Sequence, residues 1–181
     1  SLVIDRSGSM AGEKIRNAKK AAKYVIDQMQ SDDYLSVVIY DGTVDLLQDA
    51  VHPYNKQMIK NKIDAIQDRG GTNLMGGAMK GYTLVKKNYQ EGYINRVLLL
   101  SDGLANEGIT DPKQIERIVR KYNNEDGITI STFGVGADYN EDLMTAMAET
   151  GMGNYYFIND AENIAGIFKK ELNGLMEVVA Q

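Results

Sequence analysis

The 181-residue sequence predicts an α/β domain built on an open, doubly wound, mostly parallel sheet, with one antiparallel edge strand and helices on both faces. Three observations carry that prediction. Short runs rich in β-branched residues and leucine, at 35–40, 97–100 and 128–135, alternate with longer segments that are apolar at every third and fourth position. The central run, Val97-Leu98-Leu99-Leu100, is apolar without alternation, as in a strand covered on both faces. Asp41-Gly42 separates the run 35–40 from a second β-rich run at 43–47, and an Asp-Gly step between two such runs is a hairpin signal, so one strand runs antiparallel at an edge.

Taken in order, Leu2-Val3-Ile4 reads as a strand ending in the carboxylate of Asp5, followed by Ser7, Gly8 and Ser9 in a loop. A helix over 11–30 follows from Ile15, Ala18, Ala22, Val25 and Met29, which share one face. Lys14, Arg16, Lys19, Lys20 and Lys23, interleaved with Glu13 and Asp27, are expected on its solvated side. After the hairpin come a loop of His52, Pro53, Tyr54 and Asn55 and a short helix marked by Ile59, Ile63 and Ile66. The glycine-rich segment Arg69-Gly70-Gly71-Thr72-Asn73 leads into a helix over 75–89 with Ala78, Met79, Tyr82 and Val85 inward. Strand 97–100 ends in Ser101-Asp102-Gly103, a second carboxylate at the end of a buried strand. Asp111-Pro112 starts the next helix, with Asp at the cap and Pro at its first position, and its apolar face is Ile115, Ile118, Val119 and Tyr122. A strand over 128–135, stopped by Gly134 and Gly136, a helix over 141–150 and a strand over 155–158 follow. The last helix, 161–179, is apolar at Ile164, Ile167, Phe168, Leu172, Leu175 and Val179.

Composition narrows the function. With 43% hydrophobic and 25% charged residues the chain reads as one ordinary globular domain. A formal net charge of -5 argues against a general affinity for nucleic acid. No apolar run reaches the roughly 18 residues that span a bilayer. There is no cysteine, which removes disulfides and thiolate metal sites, and His52 is the only histidine. A Ser-His-Asp hydrolase would have to use that one imidazole, which precedes Pro53 in a loop. The chain opens at Ser1 inside a strand, which predicts a fragment of a longer protein with its first strand cut short, 1–181 forming a single domain.

Strand alternation and the missing Cβ of Gly8 aim Asp5, Ser7 and Ser9 at one region past the carboxyl end of the first strand. Each could be an ordinary loop former, and Ser9 could cap the following helix. Thr72 in the glycine-rich loop and Asp102 after the central strand extend the set to five oxygen-bearing side chains. Such a set suits a small hard cation, Mg²⁺ first, with Mn²⁺ or Ca²⁺ as substitutes, and suits zinc or copper poorly. A phosphatase of the haloacid dehalogenase kind needs a second Asp two residues after the first, where this chain has Ser7. GTNLMGGA lacks the Lys-Ser/Thr pair of a phosphate loop, and Gly134-x-Gly136 is only part of a dinucleotide fingerprint. A structural or assembly module with an incidental metal is the remaining rival.

Asp5-x-Ser7-x-Ser9 with Thr72 and Asp102, together with Gly70-Gly71-Thr72-Asn73-Leu74, LLLSDG and FGVGADYNEDLM, resembles bacterial von Willebrand factor type A domains, a Rossmann-like fold. The likeness runs over nearly the whole chain. It implies a metal-ion-dependent adhesion site in which Ser7 and Ser9 bind Mg²⁺ directly, Thr72 directly or through water, and Asp5 and Asp102 largely through water. It implies a non-enzymatic adhesion or assembly module whose partner is a protein offering a Glu or Asp side chain, and an extracytoplasmic location, in the periplasm or at the cell surface. In integrin-type members the last helix shifts with metal coordination, and the same is expected of 161–179. Tyr54, Asn106, Glu107 and Tyr139 are loop residues taken as candidates for partner contact.

Overall fold

The computed structural model describes the backbone of residues 1–179 and side chains through Asn173. Its strands are β1 (Leu2–Asp5), β2 (Leu35–Tyr40), β3 (Val44–Val51), β4 (Arg96–Ser101), β5 (Thr129–Val135) and β6 (Tyr155–Ile158). They form one sheet in the order β3-β2-β1-β4-β5-β6, parallel except for the antiparallel edge strand β3. The helices are α1 (Glu13–Gln28), α2 (Lys56–Asp64), α3 (Leu74–Lys87), α4 (Pro112–Asp126), α5 (Glu141–Thr150) and α6 (Ile164–Val179).

Period-two alternation divides the core into two layers. Leu2, Ile4, Val37, Leu98, Leu100 and Phe133 pack against α1, α2 and α6. Val3, Val38, Tyr40, Val97, Leu99 and Ile130 face α3, α4 and α5. Phe168 of α6 stacks on Phe133 with ring centroids 4.4 Å apart, a pairing that adds about 0.5–1.5 kcal/mol beyond the burial of area.

Several expectations need correction. The first helix begins at Glu13, not residue 11, because a 3-10 turn over Gly8–Met10 intervenes and Gly12, at φ 78°, makes the bend into α1. Strand β3 runs to Val51, well past residue 47. Gly134 does not stop β5: it pairs with Ser101 and Phe157 inside the sheet, and only Gly136, at φ 86°, ends the strand. The last helix starts at Ile164, since Asp160 accepts from the amides of Glu162 and Asn163 and holds that approach as a turn. The inward placement expected of Leu175 and Val179 lies outside the described side chains.

The order of strands reverses between β1 and β4, one leading to β2 and the other to β5. In open α/β sheets the crevice beyond the carboxyl ends at such a point is where ligands bind. Asp5 ends β1 there, and Asp102 follows β4.

Candidate metal centre

Three loops meet at this crevice, and backbone hydrogen bonds set their spacing. The amide of Gly8 donates to the carbonyl of Gly70 at 3.0 Å, and that of Arg69 to Arg6 at 2.8 Å, joining the first loop to the glycine-rich loop. The amides of Asn106 and Glu107 both donate to the carbonyl of Thr72, while the Thr72 amide donates to Asn106 Oδ1 at 2.8 Å. The third loop is thereby tied to the second. Asn106, itself exposed, braces the Thr72 backbone from the third loop.

Ser7 and Ser9 do not cap α1, whose cap residue is Gly12 and carries no side-chain cap bond. Their hydroxyls instead face each other at 3.0 Å. Two oxygens bound at about 2.1 Å on adjacent corners of an octahedron lie about 3.0 Å apart, so the pair fits one edge of a Mg²⁺ shell. Thr72 is 2% exposed, and no hydrogen bond among the described residues engages its hydroxyl. Among the described residues no group of three or more His, Cys, Asp or Glu side chains is placed to hold a metal. The set Ser7, Ser9, Thr72, Asp5 and Asp102 is made of three hydroxyls and two carboxylates.

Those carboxylates are fully buried. Asp5 Oδ1 accepts the Ser7 amide at 2.8 Å, and Oδ2 accepts Ser101 Oγ at 2.6 Å and the Tyr40 hydroxyl at 3.2 Å. Burial pushes the Asp5 carboxyl above its ordinary pKa, with the Ser101 and Ser7 hydrogen bonds offsetting part of that cost and Asp102 adding to it. Burial, and then the charge of Asp5, likewise pushes the Tyr40 phenol well up. Asp102 Oδ1 accepts the Leu104 amide and Oδ2 the Lys14 ammonium, each at 3.1 Å. Both carboxylates are committed to protein donors before any ligand arrives.

Beside the centre, Asp41 is gripped from two sides: Arg69 Nε lies 2.7 Å and Arg6 Nε 3.0 Å from Oδ2, and Arg6 also pairs with Asp45. Asp41 in turn fixes the glycine-rich loop, its carbonyl accepting the Asn73 amide at 2.8 Å. Burial opposes ionisation of Asp41, but Arg69, the Thr43 amide and hydroxyl, and Arg6 outweigh it and hold the pKa at about 2.

The four candidate contact residues separate. Glu107 is exposed and lays its carboxylate over Gly71 and Gly42, where a Cβ would fall 1.8 and 2.6 Å from its oxygens. Tyr139 lies half-buried on Gly134, stacks on Phe157 at 4.8 Å and bonds the Tyr155 hydroxyl, while the next amide, of Asn140, donates to the Asp102 carbonyl at 2.7 Å. Tyr54 does not rim the site. It follows β3, whose Val44 pairs with Tyr40 at the carboxyl pole and whose Val51 pairs with Leu35 at the other. An eight-residue strand at about 3.4 Å per residue carries the chain across the sheet. There Tyr54, 80% exposed, packs on His52.

Lys14 was expected on the solvated face of α1 and is instead turned into the site. Ser101, Tyr40 and Lys14 are the supporting residues that sequence reasoning missed. Ser101 had a signal, a hydroxyl next to Asp102 at the end of an apolar strand, whereas Tyr40 and Lys14 are assigned only by the three-dimensional arrangement.

The von Willebrand factor type A domain family matches residues 1–170. The chain belongs to that family. This type A domain is 34% identical over 182 residues to the uncharacterized Escherichia coli (strain K12) protein YfbK, a match covering 99% of the chain and 32% of YfbK. It superposes with a TM-score of 0.77 on an aerotolerance-related membrane protein from Bacteroides fragilis, at 17% identity, covering 96% of this chain and 97% of that one. Proximal thread matrix protein 1 of the mussel byssus, in a form with zinc in its metal-ion-dependent adhesion motif, gives a TM-score of 0.68 at 18% identity, covering 93% of this chain and 46% of that one. Type A domains are generally non-enzymatic modules for interaction between proteins.

Proposed function

We propose that this domain is a metal-dependent protein-binding module in which Ser7, Ser9 and Thr72 hold Mg²⁺, with Asp5 and Asp102 acting from behind, and that a Glu or Asp side chain of a partner protein completes the site. The observation that carries the reading is the 3.0 Å pair of Ser7 and Ser9 hydroxyls set against two buried carboxylates whose oxygens already accept protein hydrogen bonds. When bound, the divalent cation supplies a strong attraction for an external anion. The chain's own part is to orient three neutral oxygens and to keep negative charge close without giving it up to direct coordination. Ser7 Oγ and Ser9 Oγ are fixed by the 3-10 turn, Thr72 by Asn106, Asp5 by Ser101 and Tyr40.

An enzymatic reading has little to draw on. The position two residues after Asp5 offers a hydroxyl, and the lone imidazole sits past the end of β3 at the other pole, its Nδ1 3.0 Å from the Asp33 carbonyl oxygen. No helix among the described residues is long and apolar enough to cross a membrane. An extracytoplasmic location is in keeping with the membrane protein that shares the fold.

Calorimetric titration of the chelator-treated chain with Mg²⁺ and Mn²⁺ tests the metal, with Ser9→Ala and Thr72→Ala in parallel. Saturable binding to one site, lost in Ser9→Ala and weakened in Thr72→Ala, is expected. Acetate should then lower the water-relaxation enhancement of bound Mn²⁺ by displacing a coordinated water. A folded wild-type chain that takes up no metal, with Lys14→Met folded and equally silent, would leave only a structural module.

A further inference from the structure

Lys14 is placed where a cation is hard to justify on local grounds. It sits in the first turn of α1, at the end of a helix whose dipole repels positive charge. Its stem lies across Gly136, where a Cβ would come 2.5 Å from Cε, so the backbone just past β5 is left bare to admit it. The side chain is only 14% exposed, and its ammonium forks between Asp102 Oδ2 at 3.1 Å and Asp138 Oδ1 at 2.6 Å. Asp102 belongs to the metal centre and is fully buried, whereas the Asp138 side chain is 73% exposed. The lysine thus joins α1, the loop after β4 and the loop after β5, and puts a fixed positive charge against one of the centre's two carboxylates.

We infer that Lys14 is the residue that sets the metal affinity of the site: by setting a positive charge, shared with the solvated Asp138, against Asp102 it offsets part of that carboxylate's charge and leaves Asp5 as the centre's carboxylate with no cationic partner. The inference rests on the metal-site reading above. A dication and an ammonium sharing one carboxylate repel each other, and even at the dielectric of bulk water that repulsion across a few ångströms reaches about a factor of ten in binding. Lys14 therefore loosens the metal and leaves it short of negative charge, which an incoming carboxylate makes up. The site is weak toward Mg²⁺ alone and gains from metal and anion arriving together.

Calorimetry with Mg²⁺ alone on three chains decides it: wild type, Lys14→Met, which keeps the stem over Gly136 and removes the charge, and Lys14→Arg, which keeps the charge. Circular dichroism melts establish that each is folded. Lys14→Met should bind Mg²⁺ about tenfold more tightly than wild type, and Lys14→Arg should stay within about threefold of wild type. A silent wild type beside a saturable Lys14→Met also supports the inference. Equal or weaker binding by Lys14→Met than by wild type overturns it while leaving the metal site standing, as does a Lys14→Arg that tightens as much as Lys14→Met. If all three are folded and silent, the metal site and this role for Lys14 fall together.

Discussion

The sheet carries a buried carboxylate cluster at each pole, and the two are satisfied in opposite ways. At the amino pole Glu171 of α6 is fully buried, and it accepts from Arg96 Nη1 at 2.7 Å, Ser131 Oγ at 2.6 Å, Asn154 Nδ2 at 2.8 Å and the Tyr156 hydroxyl at 3.0 Å. Burial opposes its ionisation, yet Ser131, Asn154 and Arg96 together bring its pKa below the ordinary value. At the carboxyl pole Asp5 is as deeply buried, but its donors are two hydroxyls and an amide, and its pKa is raised. One cluster is electrically closed, and the other holds a charge that the surrounding side chains do not balance. A closed cluster pins a helix to a sheet. An unbalanced one stays costly until a cation comes near, which is the behaviour asked of a binding site.

The largest effect should come from breaking the closed cluster. Glu171→Gln leaves the Arg96 guanidinium, 14% exposed, without its anion. Removing one partner of a buried pair costs about 3–5 kcal/mol, and the remaining exposure of Arg96 puts the expectation near about 3 kcal/mol by urea denaturation. Mg²⁺ affinity should be unaltered in the same protein. A loss below about 1 kcal/mol would mean that Glu171 is as uncompensated as Asp5 and that the contrast between the poles is false.

Acid sharpens the comparison, because the signs differ. Asp41, held at about 2 by Arg69, Thr43 and Arg6, gives stability that is complete above its unfolded value of about 4 and disappears as the pH falls from there to about 2. Glu171, also depressed, acts in the same direction. Asp5, raised by burial, acts oppositely: the folded protein takes up its proton more readily than the unfolded chain, so acidification favours the fold at that residue. Urea midpoints measured from about pH 7 down to about pH 3 should therefore fall in the wild type. In Asp41→Asn the fall should be shallower, by about 0.5–1 kcal/mol over the interval once screening at the exposed Arg69 is allowed for. An unchanged slope would show that Asp41 is not held as its partners imply.

Much of this architecture was legible in the residues. Continuous runs such as LSVVIY and VLLL have no second reading as amphipathic helix, and Asp111-Pro112 marks a helix start by side-chain chemistry that acts locally. The five candidate metal residues stood out because each sits where a strand or a glycine-rich turn ends. What escaped depends on contacts between distant segments. Glu171 reads as one more charge on a terminal helix until Arg96, Ser131 and Asn154 surround it, and Lys14 reads as one of five helix cations until Gly136 lets it inward. Tyr54 lies at the amino pole, away from the other three contact candidates, because the antiparallel strand β3 carries the chain across the sheet before its loop begins.

Removing the unbalanced charge should be mild for the fold. Asp5→Asn deletes a buried carboxylate that its surroundings penalise, while the Ser101 and Tyr40 hydroxyls can rotate to meet an amide. Chelator-treated Asp5→Asn is expected within about 1 kcal/mol of wild type, on the stabilising side if either, and to bind Mg²⁺ far more weakly. Destabilisation by about 3 kcal/mol would make Asp5 a structural carboxylate like Glu171.

The smallest change probes the rim itself. A Cβ on Gly71 would lie 1.8 Å from Glu107 Oε1 and 3.1 Å from Asn106 Oδ1, and the φ of Gly71 is not in the left-handed region. The Glu107 side chain ends in solvent and can swing aside, and Ala in place of Gly restricts the unfolded chain by about 0.4–1 kcal/mol. The two effects oppose each other, so Gly71→Ala should lie within about 0.5 kcal/mol of wild type in urea denaturation. If it lost more than about 2 kcal/mol, and Glu107→Ala in the same chain restored the loss, Glu107 would be locked over the glycine-rich loop. The rim would then be as rigid as the amino pole, and a partner's carboxylate would have to displace a fixed one to reach the site.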